Sequence, residues 1–382
     1  MGCVPSNKRP FIRSKTLQNV NDLRVSSLHL IDRTFLQSYQ KLDISICALE
    51  SECPSARLDI AEAWVKFLQE EISHDENTII LYPPGSTERT TNININEYQA
   101  QDVVKVKPNF FEDYIILSFN FQLALQLGIL SDPKKAKQQE EFFANLTRRA
   151  EEAMSKKFYS EILYSAQLRV KELLLKYQHL SSLYDKLDSL IVSVNGKKYF
   201  SSTEELLDVE LDETRNVRDR LGGIMEQWRT CGFLLFAGLK SSIRARESWR
   251  QLYNLRNAKT AIVASLVSLK CAQLSLPNVE LKHTSDRQAT LVGQVGTYMI
   301  TDVADKERFQ QTLTVLENYS NALSQTILWF RKTYETNLKK DFESADEKVK
   351  NVADELRNHR TRGFVKYLEK KISSQKIIID SG

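Results

Sequence analysis

Ten apolar positions in succession, Leu163, Ala166, Val170, Leu173, Tyr177, Leu180, Tyr184, Leu187, Ile191 and Val194, fall at alternating spacings of three and four. That period is the seam of a helix packed along another helix. A strand cannot present it, because strand side chains change face every second residue. Asn195-Gly196 stops the run, and Ser131, with Asp132 and Pro133 after it, has the chemistry of a distant N-terminal cap.

Two further seams follow. Ser202-Thr-Glu-Glu205 reads as a capping box, and an acidic stretch (Glu204, Glu205, Asp208, Glu210, Asp212, Glu213) suits the positive end of a helix dipole. From there Val217, Leu221, Ile224, Trp228, Cys231, Leu235, Gly238, Ser242, Ala245, Trp249 and Leu252 continue the pattern, and no proline intervenes before Pro277. The spacing predicts one helix of roughly 74 residues, about 110 Å long. Gly222, Gly223, Gly232 and Gly238 would allow a close approach or a bend. The third predicted helix spans about 301–372 through Phe309, Leu313, Leu316, Ser320, Leu323, Ile327, Phe330 and Tyr334, then Phe342, Ala345, Val349, Val352 and Leu356. The step from Tyr334 to Phe342 breaks the phase once, which marks a kink. Only 12 Gly and 8 Pro interrupt 382 residues, so long helices are favoured over many short strands.

Ahead of these seams, residues 16–75 read as N-terminal helices, one over 16–50 and one over 55–72, with Pro54 between them. Residues 76–108 contain Pro83-Pro84-Gly85 and the alternating Asn92-Ile-Asn-Ile-Asn96, which predicts a long loop with a short hairpin. Phe110 to Leu130 is strongly apolar but carries Glu112 and Asp113, and reads as a buried core helix rather than an interfacial membrane segment. Residues 109–372 form the long-helix region and 373–382 a short tail. No internal repeat argues for a solenoid.

The first fifteen residues carry a different signal. Gly2, unhindered once Met1 is removed, and Ser6 fit the pattern for N-myristoylation. One such chain binds a membrane only weakly, with a constant of roughly 10⁴ M⁻¹, so a second signal is needed. Cys3 can carry a palmitoyl thioester, and Lys8, Arg9, Arg13 and Lys15 form a basic cluster, each worth about 1 kcal/mol beside an anionic leaflet. This start resembles the dually acylated N-termini of Src-type kinases and some G-protein α subunits. The resemblance ends there, because no kinase glycine loop or nucleotide-binding motif follows.

The remaining chemistry is sparse. The five cysteines show no paired or metal-ligand spacing, the five histidines are scattered, and Gly293-x-x-Gly296 lacks the lysine of a phosphate loop. No cofactor, no metal and no enzymatic activity are expected. The net charge of +4, from 53 bases and 49 acids, gives no footprint for nucleic acid. Local charge is more telling. Lys240, Arg244, Arg246, Arg250, Arg256 and Lys259 oppose the single acid Glu247, and Arg357, Arg360, Arg362, Lys366, Lys370, Lys371 and Lys376 oppose only Glu369. Such runs are most often solvated helix faces, but beside a lipid anchor an anionic phospholipid membrane is the better partner.

The expected fold is all-α, an elongated antiparallel bundle of three long coiled-coil helices with additional N-terminal helices. With its basic middle helix and membrane anchor, this organisation resembles the BAR superfamily of curved membrane-binding dimers over residues 110–372, by architecture and not by a motif. The resemblance implies a homodimer whose basic surface senses or shapes curvature at the cytoplasmic face of the plasma membrane or of endomembranes. Cytoskeletal or trafficking proteins are natural further partners. The competing expectation is a lipid-anchored scaffold or tether that binds protein partners without acting on curvature.

Overall fold

The structure, a computed structural model, describes residues 28–78, 134, 140–195, 199–251, 255–295, 297, 302–303 and 305–380, and these contain helix and no strand. The expected lipidation sites Gly2 and Cys3, the basic run Lys8, Arg9, Arg13 and Lys15, and the hairpin and apolar helix expected within 79–130 lie outside the described residues. The helices are α1 (Leu28–Glu50), α2 (Pro54–Thr78), α3 (Glu140–Asn195), α4 (Ser202–Arg250), α5 (Leu255–Ser275), α6 (Asp286–Gln294), α7 (Lys306–Thr333) and α8 (Lys339–Asp380), with a π-helical turn at Tyr334–Leu338. Two compact units divide the chain, residues 1–56, 173–222 and 342–382 in the first, residues 57–172 and 223–341 in the second.

In the first unit α1 packs as an integral member beside α3, α4 and α8. Phe364 of α8 is fully buried and meets Phe35, Tyr39 and Phe200 edge-on at ring-centroid distances of 5.1, 5.2 and 5.1 Å. Gly363 makes this possible, because a Cβ there would stand 2.8 Å from the Phe200 ring. Gly222 serves likewise, since a Cβ would come within 2.6 Å of Cys53 Cβ. Around these contacts runs a network of charged side chains. Glu50 accepts from the Tyr184 hydroxyl and pairs with Arg215 at 3.0 Å, while Arg360 bonds Glu204 at 2.9 Å and Asp208 at 2.8 Å. Arg357 pairs with Asp43, and Arg218 reaches Asp219 at 3.0 Å.

The N-terminal cap of α4 lies one residue before its expected place, with the Glu204 carboxylate reaching past the N-cap Ser201 to Phe200. Ser201 Oγ accepts from the Glu204 amide at 3.2 Å and the Glu204 carboxylate accepts from the Phe200 amide at 2.7 Å. Both registers are available in Ser201-Ser-Thr-Glu-Glu205, and the ion pair of Glu204 with Arg360 fits the earlier one.

The second unit holds the larger apolar core. Trp228 stacks on Phe330 at 4.5 Å, and Trp249 lies against Phe309 at 6.0 Å. With the Ser242–Ser320 hydroxyl bond at 3.1 Å, these contacts run α4 antiparallel to α7. Here the expectation of one long second helix is corrected. The helix ends at Arg250, and α5 returns along it: Ser265 Oγ donates to the Gly238 carbonyl at 2.7 Å, and Ser275 lies against Cys231. The reason is visible in α5, whose Ala258, Ala261, Ile262, Val263, Val267, Leu269, Cys271 and Ala272 are all buried. These residues cover more than one face, so the helix must be surrounded rather than packed along one seam.

Two other expectations resolve at the seams. The phase break after Tyr334 is a π-helical turn, Tyr334–Leu338, which takes up the one residue by which the step to Phe342 exceeds a heptad. The tail predicted from Ser373 is helical through Asp380, since no Gly or Pro separates Gly363 from Gly382. At the start of α4 the seam fails. Val217 is 55% and Ile224 40% exposed, while Arg218 and Glu226 are buried in their stead.

Candidate membrane-binding surface

The half of α4 in the second unit has two faces of opposite character. Trp228, Cys231, Leu234, Leu235, Ala245 and Trp249 turn into the core. The other face carries Arg229, Phe233, Phe236, Lys240 and Arg244 in steps of four, three, four and four, followed by Glu247 and Gln251, all exposed. Those steps keep the residues on one side of the helix. Phe233 and Phe236 are 64% and 62% exposed. Arg229 bonds Glu226 at 3.1 Å, whereas Lys240 and Arg244 make no ion pair among the described residues.

Glu226 anchors the start of this face. Its carboxylate receives both prongs of Arg169, from Nε and Nη2, at 2.8 Å each. Burial alone would raise the carboxyl pKa, but the Arg169 fork outweighs it, with Arg229 adding to the effect, and holds the group below its ordinary 4.5. The two helices are thus fixed to each other where the exposed stripe begins.

The basic residues expected as one patch are sorted by the fold. Lys240, Arg244 and Arg250 are exposed. Arg246 is half-buried, 3.9 Å from Glu317, and Arg256 is half-buried and already engaged. Lys259 does not belong to any surface: it is 1% exposed, pairs with Glu151, and donates to the carbonyls of Val295 at 2.9 Å and Gly293 at 3.4 Å. It sits at the C-terminal end of α6, where helix carbonyls lack internal partners and a cation is favoured. Burial pushes its ammonium pKa down, against the pull of Glu151. The return of α5 along α4 therefore goes with a buried Lys259, where one continuous helix had been expected to keep it on the basic face.

The C-terminal basic run is thinned in the same way within the first unit. Arg357 and Arg360 are spent on Asp43, Glu204 and Asp208, leaving Arg362, Lys366 and Lys370 exposed. The side chains of Lys371 and Lys376 lie outside the described residues.

Phe233 and Phe236 are the residues that sequence reasoning missed. The signal was present, because both lie off the seam marked by Cys231, Leu235 and Gly238, and an apolar residue off the seam must face either a further element or the outside. Among the described residues no group of His, Cys, Asp and Glu is placed to hold a metal ion, and no helix is long and apolar enough to cross a membrane. No family model matches the chain, and neither a curated protein nor a solved structure is significantly similar to it.

Proposed function

We propose that this chain is a lipid-anchored peripheral membrane protein. Acyl chains on Gly2 and Cys3, helped by Lys8, Arg9, Arg13 and Lys15, hold it to an anionic membrane, and its helical body makes a second contact. The observation that carries this reading is the exposed face of α4 with Lys240 and Arg244, which make no ion pair among the described residues, joined by Arg250 near the helix end. A helix-borne cation keeps a fixed spacing, so it can match a charged surface without the ordering cost that a flexible tail incurs. The finer form of the reading is a BAR-like homodimer that senses or shapes curvature. The antiparallel run of α4 against α7 is what such a body would require.

Liposome co-sedimentation with and without residues 1–15 tests the two contacts. Retained binding to anionic vesicles by the truncated chain supports the body's role, and complete loss removes it. In cells, Gly2→Ala should release the protein from membranes, and unchanged membrane association would eliminate the anchor as the main determinant. Solution scattering from a crescent-shaped dimer would support the curvature form, and a compact monomer would end it.

A second reading, a lipid-anchored scaffold for protein partners, is favoured by one specific feature. Leu206 and Val209 are exposed on α4 of the first unit among the acids Glu205, Asp208, Glu210, Asp212 and Glu213. Such a surface repels anionic lipid and suits a partner with a basic, partly apolar face.

A further inference from the structure

We infer that Phe233 and Phe236 form a hydrophobic wedge that enters the interfacial region of an anionic bilayer, with Lys240 and Arg244 seated on the lipid phosphates beside it. This rests on the membrane reading above and names the residues that would do the inserting. Both rings are mostly exposed, at 64% and 62%, on a helix whose opposite face is locked into the core by Trp228, Leu235 and Trp249. The wedge is therefore carried on a rigid element and needs no rearrangement to present itself. An aromatic pair continued on the same face by cations is the composition that lies in a headgroup–acyl boundary, because the rings leave water while the charges remain at the phosphates.

Charge decides between a bilayer and a second copy of this chain. Two copies related by a twofold axis through the phenylalanines would set Arg229 of one beside Lys240 and Arg244 of the other. Like charges would then face each other across a desolvated contact. Arg229 is partly balanced by Glu226, but Lys240 and Arg244 have no acid of their own among the described residues. An anionic surface satisfies every cation on the stripe at once, and only Glu247, at its far end, opposes it.

The test uses the full chain, prepared with and without its acyl groups, and vesicles of phosphatidylcholine with or without phosphatidylserine. The double variant F233S/F236S should lower the affinity of the unacylated chain for phosphatidylserine vesicles about tenfold or more, whereas Leu328→Ser, which alters a residue 65% exposed elsewhere in the second unit, should leave it unchanged. Phe236→Trp should show fluorescence quenching by brominated acyl chains beyond that of the parent. If the unacylated parent binds and F233S/F236S binds equally well, the wedge is overturned while the membrane reading stands. If only the acylated parent binds, the wedge is likewise overturned and the anchor alone remains. If neither form binds, both readings fail. Should the parent sediment as a dimer that F233S/F236S dissociates, the stripe is a contact between copies and the proposal is overturned. Circular dichroism and a matched melting temperature establish that the variants are folded.

Discussion

The two units solve the problem of packing long helices by different means. In the first, arginines reach between helices to acids, as Arg215 does to Glu50 and Arg360 to Glu204 and Asp208, around an aromatic cluster centred on Phe364. In the second, aromatic and aliphatic side chains fill the interior, and the charged residues buried among the described residues, Lys259 and Glu226, each have dedicated partners. A heptad seam is satisfied by either arrangement. The seam therefore specifies that helices pack, while the residues between the seam positions decide what holds them.

The largest expected effect is on the aromatic cluster. Phe364→Ala should cost about 3–5 kcal/mol in the first unit, because the buried ring has three aromatic neighbours that cannot collapse into its place. Thiol labelling during denaturant unfolding reads the units separately, since Cys53 lies in the first and Cys231 and Cys271 in the second, all buried. Burial pushes the thiols of Cys231 and Cys271 up to about 12, so they should label only on unfolding. In Phe364→Ala, Cys53 should label at lower denaturant while the other two are unchanged. A joint shift of all three would break the comparison by showing one cooperative unit.

Next in size is the charged fork of the second unit. Glu226→Gln should destabilise by about 1.5–3 kcal/mol at neutral pH, through lost charge-assisted hydrogen bonds from Arg169. The folded carboxyl titrates below its ordinary 4.5, so between the two values the unfolded chain binds more protons. The contribution is therefore complete above 4.5 and is lost as the pH falls through the folded value. Urea denaturation of parent and variant across that range should show their stabilities converging on the acid side, and a constant difference would refute the assignment.

Smaller still is Gly363→Val, expected to cost about 1–3 kcal/mol by forcing a side chain into the Phe200 ring. A melting curve that matches the parent would mean the cluster can move aside, and would weaken the picture of a tightly set first unit. The smallest effect is expected at Val217→Ser, within about 0.5 kcal/mol, since that residue is exposed although it lies on the apparent seam. A loss of several times that size would restore the seam and place an element over Val217.

Much of this was legible without coordinates where the pattern was long. Every position of the seam from Leu163 to Val194 is buried or half-buried, and the single break after Tyr334 falls on the π-helical turn. What failed did so for an identifiable reason. From Ser202 to Pro277 the apolar spacing runs on without a glycine–proline stop near Arg250, so nothing local announces a reversal. At Val217 and Ile224 the spacing was right but the partner surface was polar, so Arg218 and Glu226 turn inward. Lys259 looked like one more base in a basic run because charge counts carry no information about direction.

The exposed face of α4 shows where the division lies. By itself the sequence determined that α4 is a helix, and that Arg229, Phe233, Phe236, Lys240 and Arg244 share one side of it, because both follow from a period of 3.6 residues per turn. Only the tertiary structure decided that this side is the outer one. Trp228, Leu235 and Trp249 are claimed by α7 and the core, α5 folds back against Gly238, and the phenylalanines are left facing outward. Periodicity is a local property of the backbone, whereas exposure depends on which other residues arrive, and those come from positions dozens of residues away.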